Sequence, residues 1–167
     1  LVHVQVGATR YLEGVDGYTG TQDTYVEDNT PTTAYGSATT VLTDDGSPLA
    51  QGLLKFDNLF GSAVGQIPFG ATINSASLSF YVTNRDAADT ISLYRMLSTW
   101  SESSTWNTLG TGVQTNGSEA ASSAETTFSA GTAGWNTISG LTATVQAWAH
   151  GAANHGWAFI TQNPGAD

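Results

Sequence analysis

The stretch TINSASLSFYVT at residues 72–83 decides the fold class, because apolar and polar side chains alternate along it. Leu78, Phe80 and Val82 fall on one face of this segment, whereas Ser79 and Tyr81 fall on the other. An alternation with a period of two is typical of a β-strand that is buried on one face only. The stretch therefore predicts a strand whose apolar face covers a core.

The same alternation recurs on both sides of this strand. Residues 1–6, LVHVQV, place Val2, Val4 and Val6 on one face. Short strands separated by Gly-rich turns are typical of a sandwich or jelly roll and not of alternating strands and helices. We therefore predict an all-β, jelly-roll-type antiparallel β-sandwich. Further strands are predicted at residues 23–26, 38–43, 51–56, 90–97, 126–128, 135–138 and 156–161.

One segment departs from this pattern. Residues 141–150 place Leu141, Val145 and Trp148 at spacings of four and three, and Gly151 follows as a helix stop. We expect one short helix there, covering one end of the core. The whole chain, 1–167, is predicted to form a single domain, with 1–8 as an edge or donor strand and 109–133 as a long surface connection.

The charge balance excludes several classes of partner. The 167 residues include 14 acids and 4 bases, with a formal net charge of −10. The bases are isolated from one another, so no basic stripe exists for nucleic acid. No apolar run approaches the length of a membrane span, and no basic segment precedes an apolar one as in a signal peptide. Few charged residues, 11% of the chain, together with abundant Thr, Ser, Gly and Asn are typical of an extracellular β protein. We expect a secreted, extracellular or cell-surface protein whose signal peptide is not present in this chain.

The sequence shows no constellation typical of catalysis. No G-x-S-x-G motif occurs, and cysteine is absent. The spacing of His150 and His155 fits no helical metal pair. We therefore predict a protein that is not an enzyme.

Acidic residues in turns suggest a calcium site. Asp23 and Asp28 flank the end of one predicted strand, and Asp44 and Asp45 precede a glycine. Calcium takes six to eight oxygen ligands, often from carboxylates and carbonyls in such loops. The alternative is that these are solvated turn acids, which turn geometry favours without any ion. Calcium is accordingly the one cofactor that we predict.

The five tryptophans all lie in the second half of the chain. Trp148 and Trp157 stand in apolar context, which predicts that they are buried. Trp106 and Trp135 stand in more polar context, and we interpret them as an exposed pair that binds carbohydrate. Aromatic faces stack on the apolar faces of sugars, although for any single tryptophan a core position is the more common outcome.

Seven segments match the pattern of one known family in the order of that family: GYTGTQDTYV at 17–26, PTTAYGSATT at 31–40, LLKFDN at 53–58, IPFGATINSASLSFYV at 67–82, LYRMLSTWSESSTWN at 93–107, VQAWAHG at 145–151 and NHGWAF at 154–159. Together they resemble the DNRLRE-domain family, which is also described through disaggregatase-related and carbohydrate-binding modules. The resemblance implies a jelly-roll sandwich in secreted or cell-surface proteins, some of which bind acidic polysaccharides including alginate. A polyanion would require more Lys and Arg than this chain has, so a neutral sugar or a calcium-bridged one is expected here.

The chain departs from the family pattern after the last of these segments, where members continue to a final strand. This departure predicts a sandwich that lacks its last strand, unless that strand lies outside the present sequence. An unpaired edge attracts another strand. We therefore expect Val2, Val4 and Val6 to enter another copy of the protein or another β-rich subunit. The predicted function is a structural subunit of an extracellular filament or sheath, and the alternative is a carbohydrate-binding module of a secreted, polysaccharide-active protein.

Overall fold

The computed structural model describes residues 2–83, 90–129 and 133–161. Within these ranges it contains two antiparallel sheets and one short α-helix, so the prediction of an all-β sandwich is confirmed. No helix of the described part is long and apolar enough to cross a lipid bilayer. The elements are β1 (Val2–Val6), β2 (Thr9–Leu12), β3 (Thr21–Glu27), β4 (Ala50–Phe56), β5 (Ala76–Val82), β6 (Thr90–Arg95), a 3₁₀ helix (Asn107–Leu109), β7 (Thr126–Ser129), β8 (Gly134–Ser139), α1 (Thr142–Ala149) and β9 (Trp157–Thr161).

The strands form a four-stranded and a five-stranded sheet. The four-stranded sheet has the order β2-β1-β5-β8, and the five-stranded sheet has the order β3-β4-β9-β6-β7. All paired strands are antiparallel. The strand predicted at 72–83 is β5, which pairs with β1 on one side and β8 on the other. It is therefore central to its sheet.

The main core lies between the two sheets, and the alternation along the strands creates it. Inward positions near the middle of both sheets are mostly apolar, so facing the sheets buries both apolar surfaces at once. Trp148 of α1 packs against Trp157 of β9, with ring centroids 4.8 Å apart. The buried side chains from the two sheets are Val4, Val6, Tyr11, Ala76, Leu78 and Ile138 on one side and Leu54, Phe56, Ile91, Leu93, Trp157 and Phe159 on the other.

A second core covers the outer face of the five-stranded sheet. Residues 97–124, here called the covering segment, cross that face and leave Leu53 of β4 completely buried. A backbone bridge between Met96 and Ala120 holds the segment to the sheet. The other buried members of the second core are Val26, Tyr94, Met96, Trp100, Leu109, Val113, Ala120 and Ala158.

The predicted helix at 141–150 is confirmed as α1, Thr142–Ala149. Leu141 and Val145 are both completely buried in the main core. This burial explains the spacings of three and four, which place the apolar side chains on one face of the helix. The C-terminal end of α1 is tied to the loop before β5, where the Gly70 N–H donates to the Ala149 carbonyl at 2.8 Å.

The strand predicted at 38–43 is wrong, because this segment crosses a sheet instead of joining one. Both edges of β4 are already paired, with β3 and with β9. A Cβ added at Gly52 of β4 would lie 2.7 Å from Val41 Cγ1, so the segment passes directly over that glycine. The Thr43 hydroxyl donates to the Phe159 carbonyl at 3.2 Å. Only the isolated bridge between Asp44 and Ala50 has strand character there.

The structure also alters the prediction for residues 109–133. Val113 and Ala120 are buried in the second core, and β7 (Thr126–Ser129) pairs with β6. The described part of this region is therefore built into the sandwich and is not a surface connection throughout. A further strand, β2 (Thr9–Leu12), was not predicted. It is short and pairs with β1 only, at the edge of its sheet.

Candidate functional site

The outer face of the four-stranded sheet is open and carries exposed aromatic side chains. Tyr81 of β5 is 48% exposed and Trp135 of β8 is 53% exposed. The two residues face each other in register across the strand pair. Their ring centroids are 5.8 Å apart, and the ring planes lie at 87°. The two rings are therefore nearly perpendicular to each other.

Trp135 reaches inward from the edge of the sheet. It belongs to β8, whereas His3 belongs to β1, and β5 lies between these two strands. Strands two apart are separated by about 9.5 Å. The Trp135 and His3 ring centroids are only 5.7 Å apart, so the indole leans across β5. This position agrees with the low exposure, 8%, of Ser79 on β5.

Hydroxyl groups continue the outer face beside the aromatic rings. Ser79 faces Thr137 in register, and Ser77 faces Ser139 one step along the strands. The Ser79 and Thr137 hydroxyl oxygens are hydrogen-bonded at 2.8 Å. Thr137 and Ser139 are exposed, whereas Ser79 is buried. Hydroxyls both donate and accept, so the exposed members of the row offer both kinds of partner. We call the outer-face residues His3, Ser79, Tyr81, Trp135 and Thr137 the platform.

The strands that carry the platform have no carboxylate. None of the residues of β1, β2, β5 and β8 is Asp or Glu, although the chain has 14 acids. Arg10 of β2 is the one Lys or Arg on these strands. Burial lowers the pKa of His3, and the positive charge of Arg10 lowers it further. At pH 7 the His3 ring is therefore neutral, and a neutral imidazole both donates and accepts a hydrogen bond.

This arrangement suits a ligand that is apolar on one side and rich in hydroxyls at its edges. An aromatic face offers dispersion and CH–π contact, and the neighbouring hydroxyls orient whatever lies on it. The site is a surface and not a cleft, so it fits an extended chain more readily than a small enclosed molecule.

The structure places Trp106 and Trp135, which the sequence analysis interpreted as one exposed pair, on different faces of the sandwich. Trp135 is on the platform, whereas Trp106 lies in the covering segment, partly buried against the second core. A Cβ added at Gly112 would lie 2.8 Å from two carbons of the Trp106 ring, so the 111–112 turn sits tightly on that ring. The two residues lie on opposite outer faces of the sandwich and do not form one site. The predicted burial of Trp148 and Trp157 is confirmed, with exposures of 2% and 0%.

The four predicted calcium ligands are brought together only in part. The Asp28 carboxylate accepts the Leu49 N–H at 3.0 Å, and the Asp44 carboxylate accepts the Gly46 N–H at 2.8 Å. Both acids therefore lie near Ala50, the first residue of β4, and Asp45 follows Asp44 in the same turn. In the described ranges no group of three or more His, Cys, Asp or Glu side chains could hold a metal ion. Calcium binding remains a prediction.

Asp23 lies apart from the other three acids. It stands five residues before Asp28 on the extended chain of β3, which corresponds to about 16 Å. Burial raises the pKa of Asp23, and the Glu102 carboxylate raises it further. The distance of Asp23 from the Asp28 and Asp44 turns makes it a poor partner for them.

The predicted assembly residues lie within their own sheet. Val4 and Val6 are 0% and 4% exposed in the main core, and Val2 packs against that core. β1 is hydrogen-bonded to β2 on one edge and to β5 on the other. Entry into a second copy would require β1 to leave both neighbours. The assembly role remains a prediction, and no contact among the described residues favours it.

A family comparison agrees with the chemistry of the platform. The model of carbohydrate-binding module family 96 matches residues 16–166. The chain belongs to this family. The match covers all but the first strands, β1 and β2, and supports the carbohydrate-binding part of the resemblance found in the sequence. No curated protein matches the module.

Of the five platform residues, only Trp135 was identified as a site residue from sequence. The two other rings of the platform, Tyr81 and His3, and the two hydroxyl residues were not. The signal for Tyr81 was present, since it occupies the polar face of the strand at 72–83 together with Ser77 and Ser79. An aromatic residue on a polar strand face is not needed for the core. His3 gave no such signal, because its contact with Trp135 depends on the order of strands in the sheet.

Proposed function

We propose that the module binds a polysaccharide along the platform, as a non-catalytic part of an extracellular protein. One observation carries this proposal: Trp135 and Tyr81 lie exposed and perpendicular on an open sheet face that also bears a row of hydroxyls. A sugar ring stacks on one aromatic face and meets the other ring at its edge. The family to which the chain belongs supports the same class of ligand.

The charges near the platform favour a neutral polysaccharide. A polyanion would approach a molecule with a formal net charge of −10, and only Arg10 on the platform strands would attract it. His3 adds no second positive charge at pH 7, because its pKa is lowered. The absence of Asp and Glu from these strands also leaves no carboxylate pair there for glycoside cleavage. Binding without hydrolysis is therefore the proposed activity of this face.

The proposal is tested by native affinity electrophoresis in gels containing xylan, mixed-linkage β-glucan, galactomannan or alginate. We expect retardation in at least one neutral gel. Truncating an aromatic hot spot costs about 2 kcal/mol, so Trp135→Ala should raise Kd roughly 30-fold. Tyr81→Ala should have a smaller effect of the same sign.

The matched control is Leu42→Ala, which removes an apolar side chain of similar exposure, 44%, away from the platform. It should bind as the unaltered module does. Trp106→Phe discriminates between the two tryptophans that the sequence paired. Loss of binding in Trp106→Phe with full binding in Trp135→Ala would move the site to the other sheet. A module that no gel retards would refute the proposal.

A further inference from the structure

A third exposed aromatic residue, after Tyr81 and Trp135, borders a depression at one end of the sandwich. Phe69, in the loop before β5, is 65% exposed, and its ring contacts that of Phe60 with centroids 6.2 Å apart. The depression is shallow and open to solvent, with a volume of about 500 Å³. We call it the end depression. Its lining consists of Phe69, Gly70, Ala149, His150 and Gly151.

Glycines leave the lining of the end depression open. Gly70 and Gly151 have φ angles of 79° and 95°, in the left-handed region that favours glycine. A Cβ added at either position would meet no heavy atom within 4 Å. The space in front of both backbones is therefore free, and a ligand can approach them closely.

The hydrogen bonds around Gln146 fix the proton on His150. Gln146 Oε1 accepts the Ile73 N–H at 2.8 Å, and Gln146 Nε2 donates to the Ala71 carbonyl at 2.9 Å. These two backbone partners set the orientation of the amide. Its nitrogen also faces His150 Nε2 at 3.1 Å, and an amide nitrogen can only donate. His150 Nε2 must therefore accept, which places the ring proton on Nδ1.

This tautomer leaves a hydrogen-bond donor beside an aromatic face. His150 is exposed, so its Nδ1–H is available to a ligand hydroxyl. The ring of Phe69 supplies the apolar surface, and the open glycine backbones give room for a bulky group. An aromatic ring, a fixed donor and a shallow open depression are the elements that recognise a sugar ring.

The end depression is separate from the platform. Tyr81 is near the C-terminal end of β5. Ile73, whose N–H is hydrogen-bonded to Gln146 beside the end depression, lies before the first residue of β5, Ala76. The length of β5 between Ala76 and Tyr81 is about 17 Å. One sugar unit cannot contact both sites. A polysaccharide chain, or two chains, can occupy them together.

We propose that the end depression is a second binding site for a single sugar unit of the polysaccharide, such as a chain end or a branch. The proposal rests on the proposed function, because it takes its ligand class from the platform and the family. Two sites on one module raise the affinity for a long chain through effective concentration, whereas each site alone binds weakly.

The test compares variants in the same four polysaccharide gels. Phe69→Ala and His150→Ala should each weaken retardation about 3-fold to 10-fold, and Trp135→Ala should retain a residual retardation. Phe69→Ala combined with Trp135→Ala should remove it. Val64→Ala is the matched control, because Val64 is a fully exposed apolar residue of the same loop outside the depression.

The possible outcomes separate the two proposals. Full binding by Phe69→Ala and His150→Ala, with loss in Trp135→Ala, would overturn the second site and leave the platform intact. Loss in Phe69→Ala with full binding by Trp135→Ala would support the end depression and overturn the platform. Retardation of the unaltered module in no gel would overturn both. Thermal unfolding of each variant verifies that it is folded, which the exposure of these side chains leads us to expect.

Discussion

The outer face of the four-stranded sheet is open, whereas the outer face of the five-stranded sheet lies under the covering segment, residues 97–124. Side chains at equivalent outward positions consequently differ in kind. Leu53 on β4 is completely buried, and Tyr81 on β5 is 48% exposed. The comparison teaches that an outward strand position has no fixed meaning until the packing above it is known. A tryptophan on the covered face stabilises the fold, and one on the open face is available to a ligand.

The largest expected effect is on the free energy of unfolding, when one tryptophan from each outer face is replaced by alanine. Trp100, 5% exposed in the second core, donates from its indole N–H to the His155 carbonyl at 2.7 Å. Trp100→Ala should lower the free energy of unfolding by about 3–5 kcal/mol, the usual cost of removing a buried aromatic. Trp135→Ala, on the open face, should lower it by less than about 1 kcal/mol. Chemical denaturation measures both.

Each tryptophan variant serves as the control for the other, since both remove the same side chain. Binding should respond in the opposite order, with Trp135→Ala affected and Trp100→Ala unaffected at temperatures where it is folded. Equal losses of stability in the two variants would contradict the distinction between an open and a covered face.

A smaller effect is expected where the covering segment is fastened to the sheet. Gln51 of β4 is 7% exposed, and its side-chain oxygen accepts the Val113 N–H at 2.6 Å. Gln51→Leu leaves that buried backbone group without its partner, which costs about 1–3 kcal/mol. The segment should then open more often, so limited proteolysis should cut within residues 97–124 at an increased rate.

The open face provides the control for this prediction. Thr137→Val removes a side-chain hydrogen bond of similar length, that with Ser79 at 2.8 Å, without releasing any segment. It should leave the proteolysis rate unchanged. Equal cleavage rates in Gln51→Leu and the unaltered module would show that the covering segment does not depend on Gln51.

The smallest expected effect concerns pH, and it compares one histidine from each region. Burial lowers the pKa of His3 on the platform, with Arg10 adding to the effect, and burial lowers the pKa of His155 beside the covered face. Both pKa values lie below the ordinary value of 6.5. The unfolded chain therefore binds more protons than the folded one just below pH 6.5, and stability falls as the pH falls through that window.

Replacing His3 or His155 by glutamine should reduce this slope, and replacing both should reduce it most. Chemical denaturation at a series of pH values between about 5 and 7.5 measures the slope in the window where histidine titrates. His150→Gln is the matched control, because it replaces the remaining histidine of the chain. A slope that stays the same in the double variant would show that other groups cause the pH dependence.

The strands and the helix could be predicted because their signal is local. The alternation at 72–83 and the spacing of Leu141, Val145 and Trp148 follow from backbone geometry alone. The strand predicted at 38–43 rested on the same kind of local signal, since β-branched residues favour a strand. It does not form, because both edges of β4 are already occupied. Strand propensity is overruled when no edge is free to pair with.

The candidate site was predicted in part, since Trp135 was singled out but was paired with Trp106. Composition and polar context can mark a tryptophan as a candidate for exposure. They cannot show which outer face a tryptophan occupies, nor that Tyr81 and His3 lie beside Trp135. Those neighbours come from distant parts of the chain and meet only through strand pairing.

The sequence by itself determined the sandwich, because a period of two in apolar side chains leaves each sheet with one face that must be buried. Only the tertiary structure decided where a ligand can bind. The order β2-β1-β5-β8 brings His3, Tyr81 and Trp135 together, and the path of residues 97–124 covers one sheet and leaves the other open. These features depend on contacts between residues far apart in the chain, which local side-chain patterns do not encode.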